Sequence, residues 1–168
     1  MEVRRATVGD AQAVGTAHAA SWRATYADLG SDFLASIDDE ERIALWTRVI
    51  AEDGESGPVY VATVDRTVVA FVNPRSSRDD DTSDTTGEVV ALYAVPEAWG
   101  SGAGRALMAA AVDELRALGF TDAILWVLEN NTRARRFYEL AGWALDGAEK
   151  DEVWRGVPIH EVRYRRTL

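Results

Sequence analysis

Three glycines at alternate positions, Gly100, Gly102 and Gly104, stand in the segment Pro96-Glu97-Ala98-Trp99-Gly100-Ser101-Gly102-Ala103-Gly104-Arg105-Ala106-Leu107. Glycine has no side chain to cover its own backbone N–H, and a helix N-terminus concentrates positive potential. A glycine-rich turn that opens a helix therefore suits a pyrophosphate, and Arg105 in the first turn adds a fixed charge. Two familiar phosphate loops fail on spacing. A dinucleotide fingerprint needs glycine at position 105 or 107, where Arg105 and Leu107 stand. A Walker loop needs a lysine that this segment lacks. Glycines also simply cap turns, so the loop by itself leaves phosphate binding and a plain turn open.

Other chemistries are excluded by composition. The chain has no cysteine, which removes disulfides, thiolate metal sites and a cysteine nucleophile. His18 and His160 are far apart and match no metal-ligand spacing, so no metal is expected. The net charge of −10 is unevenly placed: Asp28 to Glu88 holds 15 acids against 5 arginines, and the remainder is neutral. An acidic middle argues against nucleic acid and anionic membranes, and suits a cationic or amine-bearing partner. The plainer reading is that these acids solvate helix ends and a loop. There is no leader-like N-terminal segment and no run near the ~20 apolar residues of a membrane span, so a cytoplasmic protein is expected.

With 168 residues the chain has one domain's length. Met1 to Ala6 reads as a strand, and Thr7-x-x-Asp10 as a capping box opening a helix. Asp38 to Glu41 starts a second, acidic-capped helix. Residues 59–64 and 67–72 form a hairpin around Asp65-Arg66. The polar run 74–87 is expected to be a mobile surface loop. Glu88 to Val95 is nearly all apolar, as in a strand buried on both faces. Gly102 to Leu118 is helical, with Gly119 as its C-cap. Ala123 to Leu128 is the next buried strand. Asn131 is placed to cap a helix that runs to about Ala141, and residues 143–154 and 157–166 close the fold as an antiparallel pair. The order implies a mixed α/β sheet with helices on both faces.

The strand ending Leu92-Tyr93-Ala94-Val95-Pro96-Glu97, the Trp99–Arg105 loop and a third segment together resemble the GNAT superfamily of acyl-CoA-dependent N-acyltransferases. That third segment is Leu125-x-Val127, then Asn131-x-Arg133-Ala134-x-x-Phe137-Tyr138-Glu139-x-x-Gly142-Trp143. The resemblance covers about residues 87–143. It departs at Trp99, where Gln or Arg is usual, and at Ala94, where Val is usual. It implies the GNAT fold: a mixed, mostly antiparallel sheet with a splayed parallel strand pair and helices on both faces. A single domain would span 1–168, with acceptor-side helices over about 9–51.

The resemblance also implies acetyl-CoA as co-substrate, wedged between strands 88–95 and 123–128. Backbone groups of Leu92, Tyr93 and Ala94, near a β-bulge, would pair with the pantetheine, and an N–H near Leu92 would face the thioester oxygen. Backbone N–H groups of Gly100, Ser101, Gly102, Ala103, Gly104 and Arg105 would take the pyrophosphate. Asn131 would contact the pantetheine arm, cap its helix, or both. Arg133, Arg135 and Arg136 include candidates for the adenosine phosphates, Arg133 among them. Tyr138 would protonate the leaving thiolate, against a plain core role for a residue in the Ala134–Phe137–Ala141 stripe. Glu88 would accept the amine proton, against a plain strand-end acid. Trp22, Tyr26, Trp46, Trp154 and His160 come from the parts that line the acceptor side, or from core. With no cysteine to carry an acetyl group, transfer would go directly to a primary amine of a cationic small molecule. A protein amine acceptor, a non-catalytic acyl-CoA sensor or scaffold, and a homodimer are left open.

Overall fold

Entry into the first helix is set by a capping box: the Thr7 backbone N–H and hydroxyl each donate to Asp10 Oδ2 at 2.8 Å. Arg4 clamps the same carboxylate from the preceding strand at 2.7 and 2.8 Å. The computed structural model describes every residue except Asp53 and Glu55. Strands are β1 Glu2–Arg5, β2 Tyr60–Val64, β3 Thr67–Ser76, β4 Thr86–Ala94, β5 Asp122–Leu128, β6 Ala144–Trp154 and β7 Val157–Thr167. Helices are α1 Ala11–Thr25, α2 Ser31–Ala35, α3 Asp39–Ala51, α4 Ala103–Ala117 and α5 Thr132–Leu140. The five-residue α2 has no counterpart in the sequence reading, because it is too short to display a helical period. Asp38 caps α3 through the N–H groups of Glu40 and Glu41.

The strands form one sheet in the order β1-β2-β3-β4-β5-β7-β6. Every pair is antiparallel except β4 and β5. Alternation along the strands divides the core. Ala62, Ala70 and Val72 face α4 and α5, while Val61 and Phe71 face α1 and α3. Leu107, Met108, Ala111 and Leu115 supply the buried stripe of α4. Gly15 permits the crossing of α1 over α3, since a Cβ there would stand 2.6 Å from the Ile43 backbone.

The parallel pair opens what becomes the site. Its register runs Thr86–Asp122, Gly87–Ala123 and Glu88–Ile124 and then stops. Beyond Glu88, β4 continues to Ala94 and β5 to Leu128 without pairing to each other. At the point of divergence β4 carries a bulge. Asn73 opposes Ala91 and Pro74 opposes Val89, leaving Val90 without a partner and 40% exposed. The expectation of a strand buried on both faces therefore fails at Val90. Pro74, lacking an N–H, is tolerated on β3 because it sits at this irregularity.

The polar run is also shorter and more ordered than its composition suggests. Residues 74–76 belong to β3 and 86–87 to β4, leaving 77–85 as loop. That loop is pinned across the sheet. Arg163, only 5% exposed, donates to Asp79 at 2.9 Å and to Asp81 at 2.7 Å, and the Trp126 indole donates to Asp79 at 2.9 Å. A buried guanidinium must be paired, and the loop supplies two of its carboxylates. Among the described residues no helix is long and apolar enough to cross a membrane.

Candidate active site

The backbone of β4 past the bulge defines one wall of the gap. The Val95 N–H donates to Val69 C=O at 2.9 Å, and in an antiparallel ladder such bonded pairs alternate. Tyr93 therefore directs its backbone groups to Phe71, while Leu92 and Ala94 turn theirs toward the side that β5 has left. The Ala94 carbonyl is already engaged, accepting from Trp99 Nε1 at 2.8 Å and Ser21 Oγ at 2.9 Å. The groups left for a strand-like partner are the N–H and C=O of Leu92 and the N–H of Ala94. Tyr93, expected to offer its backbone to the pantetheine, has those groups turned to Phe71 instead.

At the end of this wall lies the glycine loop. Gly100 and Gly102 have φ of 78° and 91°, a region that favours glycine. A Cβ built on either would meet nothing within 4 Å, so the space above them is open. Helix α4 begins at Ala103 with Gly102 as an N-cap that offers no side chain. The loop's own bonds, Ser101 N–H to Ala98 C=O and Ala103 N–H to Ser101 Oγ, leave the N–H groups of Gly100, Gly102, Gly104 and Arg105 unclaimed. Such a cradle fits a pyrophosphate.

Across the loop, the Arg133 guanidinium lies over Trp99, its carbon 3.4 Å from the ring centroid. Trp99, the departure from the family pattern, thus ties the end of β4 to the start of α5. Asn131 is the N-cap of α5, its side-chain oxygen accepting from Ala134 N–H at 3.1 Å. Arg135 is committed elsewhere, donating to the Tyr164 hydroxyl at 3.1 Å and Glu129 C=O at 2.9 Å.

Tyr138 is buried on α5, on the α4/α5 side of the sheet, its ring centroid 5.4 Å from that of Phe137 and 6.1 Å from that of Tyr164. Burial, and then Tyr93, push its pKa far above the ordinary range, so it stays protonated. On the α1 side the registers place Glu88, Trp126 and Glu161 on one sheet face. Glu88 is 8% exposed, with Arg75 at 3.3 Å, and burial raises its pKa against that arginine. Glu161 is 6% exposed, paired to Lys150 at 3.2 Å, and burial raises its pKa too. Sequence reasoning passed over Glu161. The usable signal was that it shares strand parity with Ile159, an inward position.

The aromatic candidates separate cleanly. Trp22 stacks on Trp154 at 5.3 Å and 4°, and Tyr26 meets Trp154 edge-on, so the β6–β7 hairpin closes over the α1 terminus. Trp46 is core, donating its indole N–H to His18 Nδ1 at 2.9 Å. His160 lies apart, pairing with Asp151 at 2.9 Å on the outer hairpin.

The model of the acetyltransferase (GNAT) family matches residues 22–143. The uncharacterized N-acetyltransferase YuaI of Bacillus subtilis is 30% identical over 135 residues, covering 77% of this chain and 72% of that protein. Mycothiol acetyltransferase of Geodermatophilus obscurus is 38% identical over 76 residues, 45% of this chain but only 24% of that protein. The PaiA N-acetyltransferase of Thermoplasma acidophilum, solved in complex with coenzyme A, superposes with a TM-score of 0.76 at 19% identity, covering 99% of this chain and 98% of that one. A sheet parallel only at β4–β5, with helices on both faces, is the GNAT fold. The chain belongs to the GNAT acetyltransferase family and is an acyltransferase.

Proposed function

We propose that this protein, acting as one domain over 1–168, transfers the acetyl group of acetyl-CoA directly to a primary amine within a ternary complex. The observation that carries this reading is the gap past Glu88–Ile124. Supporting it, Leu92 turns its N–H to the unpaired side of β4 by ladder phase, burial keeps Tyr138 protonated, Glu88 stands at the last paired register, and open space lies above Gly100 and Gly102. Acetyl-CoA supplies the thioester. Leu92 N–H is turned toward the place where the carbonyl oxygen gains charge, an interaction typically worth about 3 kcal/mol in acyl transfer. Glu88, held in a partly dry setting, accepts the proton that a protonated amine must lose. Tyr138 returns a proton to the departing thiolate. Gly100 to Arg105 hold the pyrophosphate by backbone N–H groups, with Arg133 on Trp99 beside them.

The acceptor's ammonium is drawn by Glu88 and Glu161, two buried carboxylates on the same sheet face, each facing one cation, Arg75 and Lys150. No metal takes part in this reading. The test is thiol release from acetyl-CoA with a panel of primary amines. Acetyl-CoA that binds, with no amine ever releasing thiol, would overturn the enzymatic reading in favour of a binding module.

A further inference from the structure

On the α1 side of the gap, near Tyr93 and Trp22, three buried nitrogen donors have no acceptor among the described residues. They are His18 Nε2, Trp22 Nε1 and Arg42 Nε. The tautomer of His18 is settled by its neighbour. An indole nitrogen can only donate, so His18 Nδ1 must accept from Trp46 Nε1, and the hydrogen of the neutral ring resides on Nε2. His18 is 5% exposed and stacks on Tyr93 with centroids 4.6 Å apart. Trp22 lies edge to His18 at 5.1 Å and is tilted to Tyr93 with centroids 6.5 Å apart.

Arg42 completes the cluster. Its guanidinium carbon lies 4.4 Å from the Trp22 ring centroid. Among the described residues no ion pair or hydrogen bond engages it, because the neighbouring Glu41 is taken by Arg155. A half-buried arginine without a carboxylate, beside two unmatched N–H donors, is an unusual arrangement, since buried donors are costly to leave unmade. His18 stacks on the Tyr93 ring, Trp22 lies 6.5 Å from it and carries Arg42 on its face, while Glu88 and Glu161 share the sheet face of Tyr93 by register. One side of Tyr93 thus offers carboxylate to a cation, and the other offers donors and positive charge to an anion.

We propose that the acceptor is zwitterionic, carrying a carboxylate near its amine, and that Arg42, with the N–H groups of Trp22 and His18, receives that carboxylate. The proposal rests on the reading of the protein as an amine acetyltransferase and narrows its substrate class to amino-acid-like molecules. Arg42 supplies the fork geometry that a carboxylate matches, and stacking on Trp22 holds the fork in place. The Tyr93 ring separates the carboxylate end from the amine end, which is left facing Glu88 and the gap.

The experiment compares matched pairs: L-phenylalanine with phenethylamine, L-methionine with 3-(methylthio)propylamine, and L-lysine with cadaverine, each by thiol release at saturating acetyl-CoA. The carboxylate member of the best pair should have at least tenfold higher kcat/KM. Arg42→Met should bring that ratio close to one, chiefly through the KM of the amino acid, and Arg42→Lys should retain part of it. Preference for the decarboxylated amines, or a ratio unmoved by Arg42→Met, overturns the proposal. A second arm is independent of turnover. In the CoA-loaded protein, N-acetyl-L-phenylalanine should move the side-chain N–H resonances of Trp22 and His18, while N-acetylphenethylamine should not. If neither moves them, or both do equally, the carboxylate site is absent. Failure of CoA to bind at all would be seen first, as no thermal shift, and would count against the acetyltransferase reading instead.

Discussion

Arg133 lies with its guanidinium carbon 3.4 Å from the centroid of the Trp99 ring, and the same indole donates to the Ala94 carbonyl at 2.8 Å. One side chain therefore joins the end of β4, the glycine loop and the start of α5. A cation on an exposed aromatic face is worth about 0.5–1 kcal/mol, or roughly two- to fivefold in binding. Trp99→Ala should raise the KM of acetyl-CoA by at least that factor and change kcat less. Trp99→Phe should fall between, keeping a ring for Arg133 but losing the bond to Ala94. A KM for acetyl-CoA that ignores both substitutions would detach this pair from the cofactor site.

Gly104 lies in the first turn of α4 with ordinary helical backbone, and its nearest outside neighbour would be Phe137 at 3.6 Å from a Cβ. Space, rather than backbone strain, decides what a side chain does there. Gly104→Val should leave the protein folded but crowd the approach to the free N–H groups. Wild type should gain about 2.7 kcal/mol of stability at CoA a hundredfold above its Kd. Melting curves with and without CoA check this. The variant should lose most of the ligand-induced shift, and an undiminished shift would move the pyrophosphate elsewhere.

How much of this was legible in the sequence depended on the range of the interactions involved. The helical stripe of α4, the capping box at Thr7–Asp10 and the cap at Asn131 are local, and residues a few positions apart declare them. The type I′ hairpin at Asp65-Arg66, both with positive φ, was readable from the β-branched runs on either side. Pro74 disguised the end of β3, since only the partner strand shows that it sits at a bulge. The 77–85 loop looked mobile because its anchors, Trp126 and Arg163, lie on distant strands. Arg42 has the sequence context of a solvated helix arginine, Asp-Glu-Glu-Arg, and only packing against Trp22 sets it apart. The backbone of Tyr93 was misassigned for a similar reason: ladder phase is decided by the pairing partner, not by residue type.

Tyr138 and Glu88 carry opposite protonation requirements. Burial keeps the Tyr138 phenol protonated well beyond neutral pH, so it should contribute no limb to a pH profile in the accessible range. Tyr138→Phe should lower kcat by roughly ten- to a thousandfold with little effect on acetyl-CoA affinity. Glu88 must be ionised to accept a proton, and burial raises its pKa while Arg75 opposes the rise. The acidic limb of kcat/KM should therefore lie above the ordinary carboxylate range. Glu88→Gln should remove that limb and cost most at low pH, where free amine is scarce. An acidic limb that survives in Glu88→Gln would transfer the base role to another group, with Glu161 the next to test.

His18 couples the fold itself to pH. Burial, and then the charge of Arg42, lower its pKa from 6.5 to about 3. Between those two values the unfolded chain binds a proton that the folded protein refuses. Stability contributed by the neutral ring is therefore fully present above pH 6.5 and is lost as pH falls toward 3, with a slope approaching ~1.4 kcal/mol per pH unit for one proton. Asp10, held low by Arg4 and Thr7, adds its own loss only below the ordinary carboxylate range. Glu88 and Glu161, raised by burial, take up protons first in the folded protein and oppose the loss. The histidine is therefore read from the difference between wild type and a His18 variant. Urea titrations from pH 7 to 4.5 should show the histidine's contribution to the midpoint falling in wild type. His18→Gln, less stable at pH 7 for loss of the ring stack on Tyr93, should lack that fall, so that the gap between its midpoint and the wild-type midpoint narrows as pH drops. A gap between the two midpoints that stays constant from pH 7 to 4.5 would mean that the ring takes up its proton in the folded state, and that Nε2 already has an acceptor.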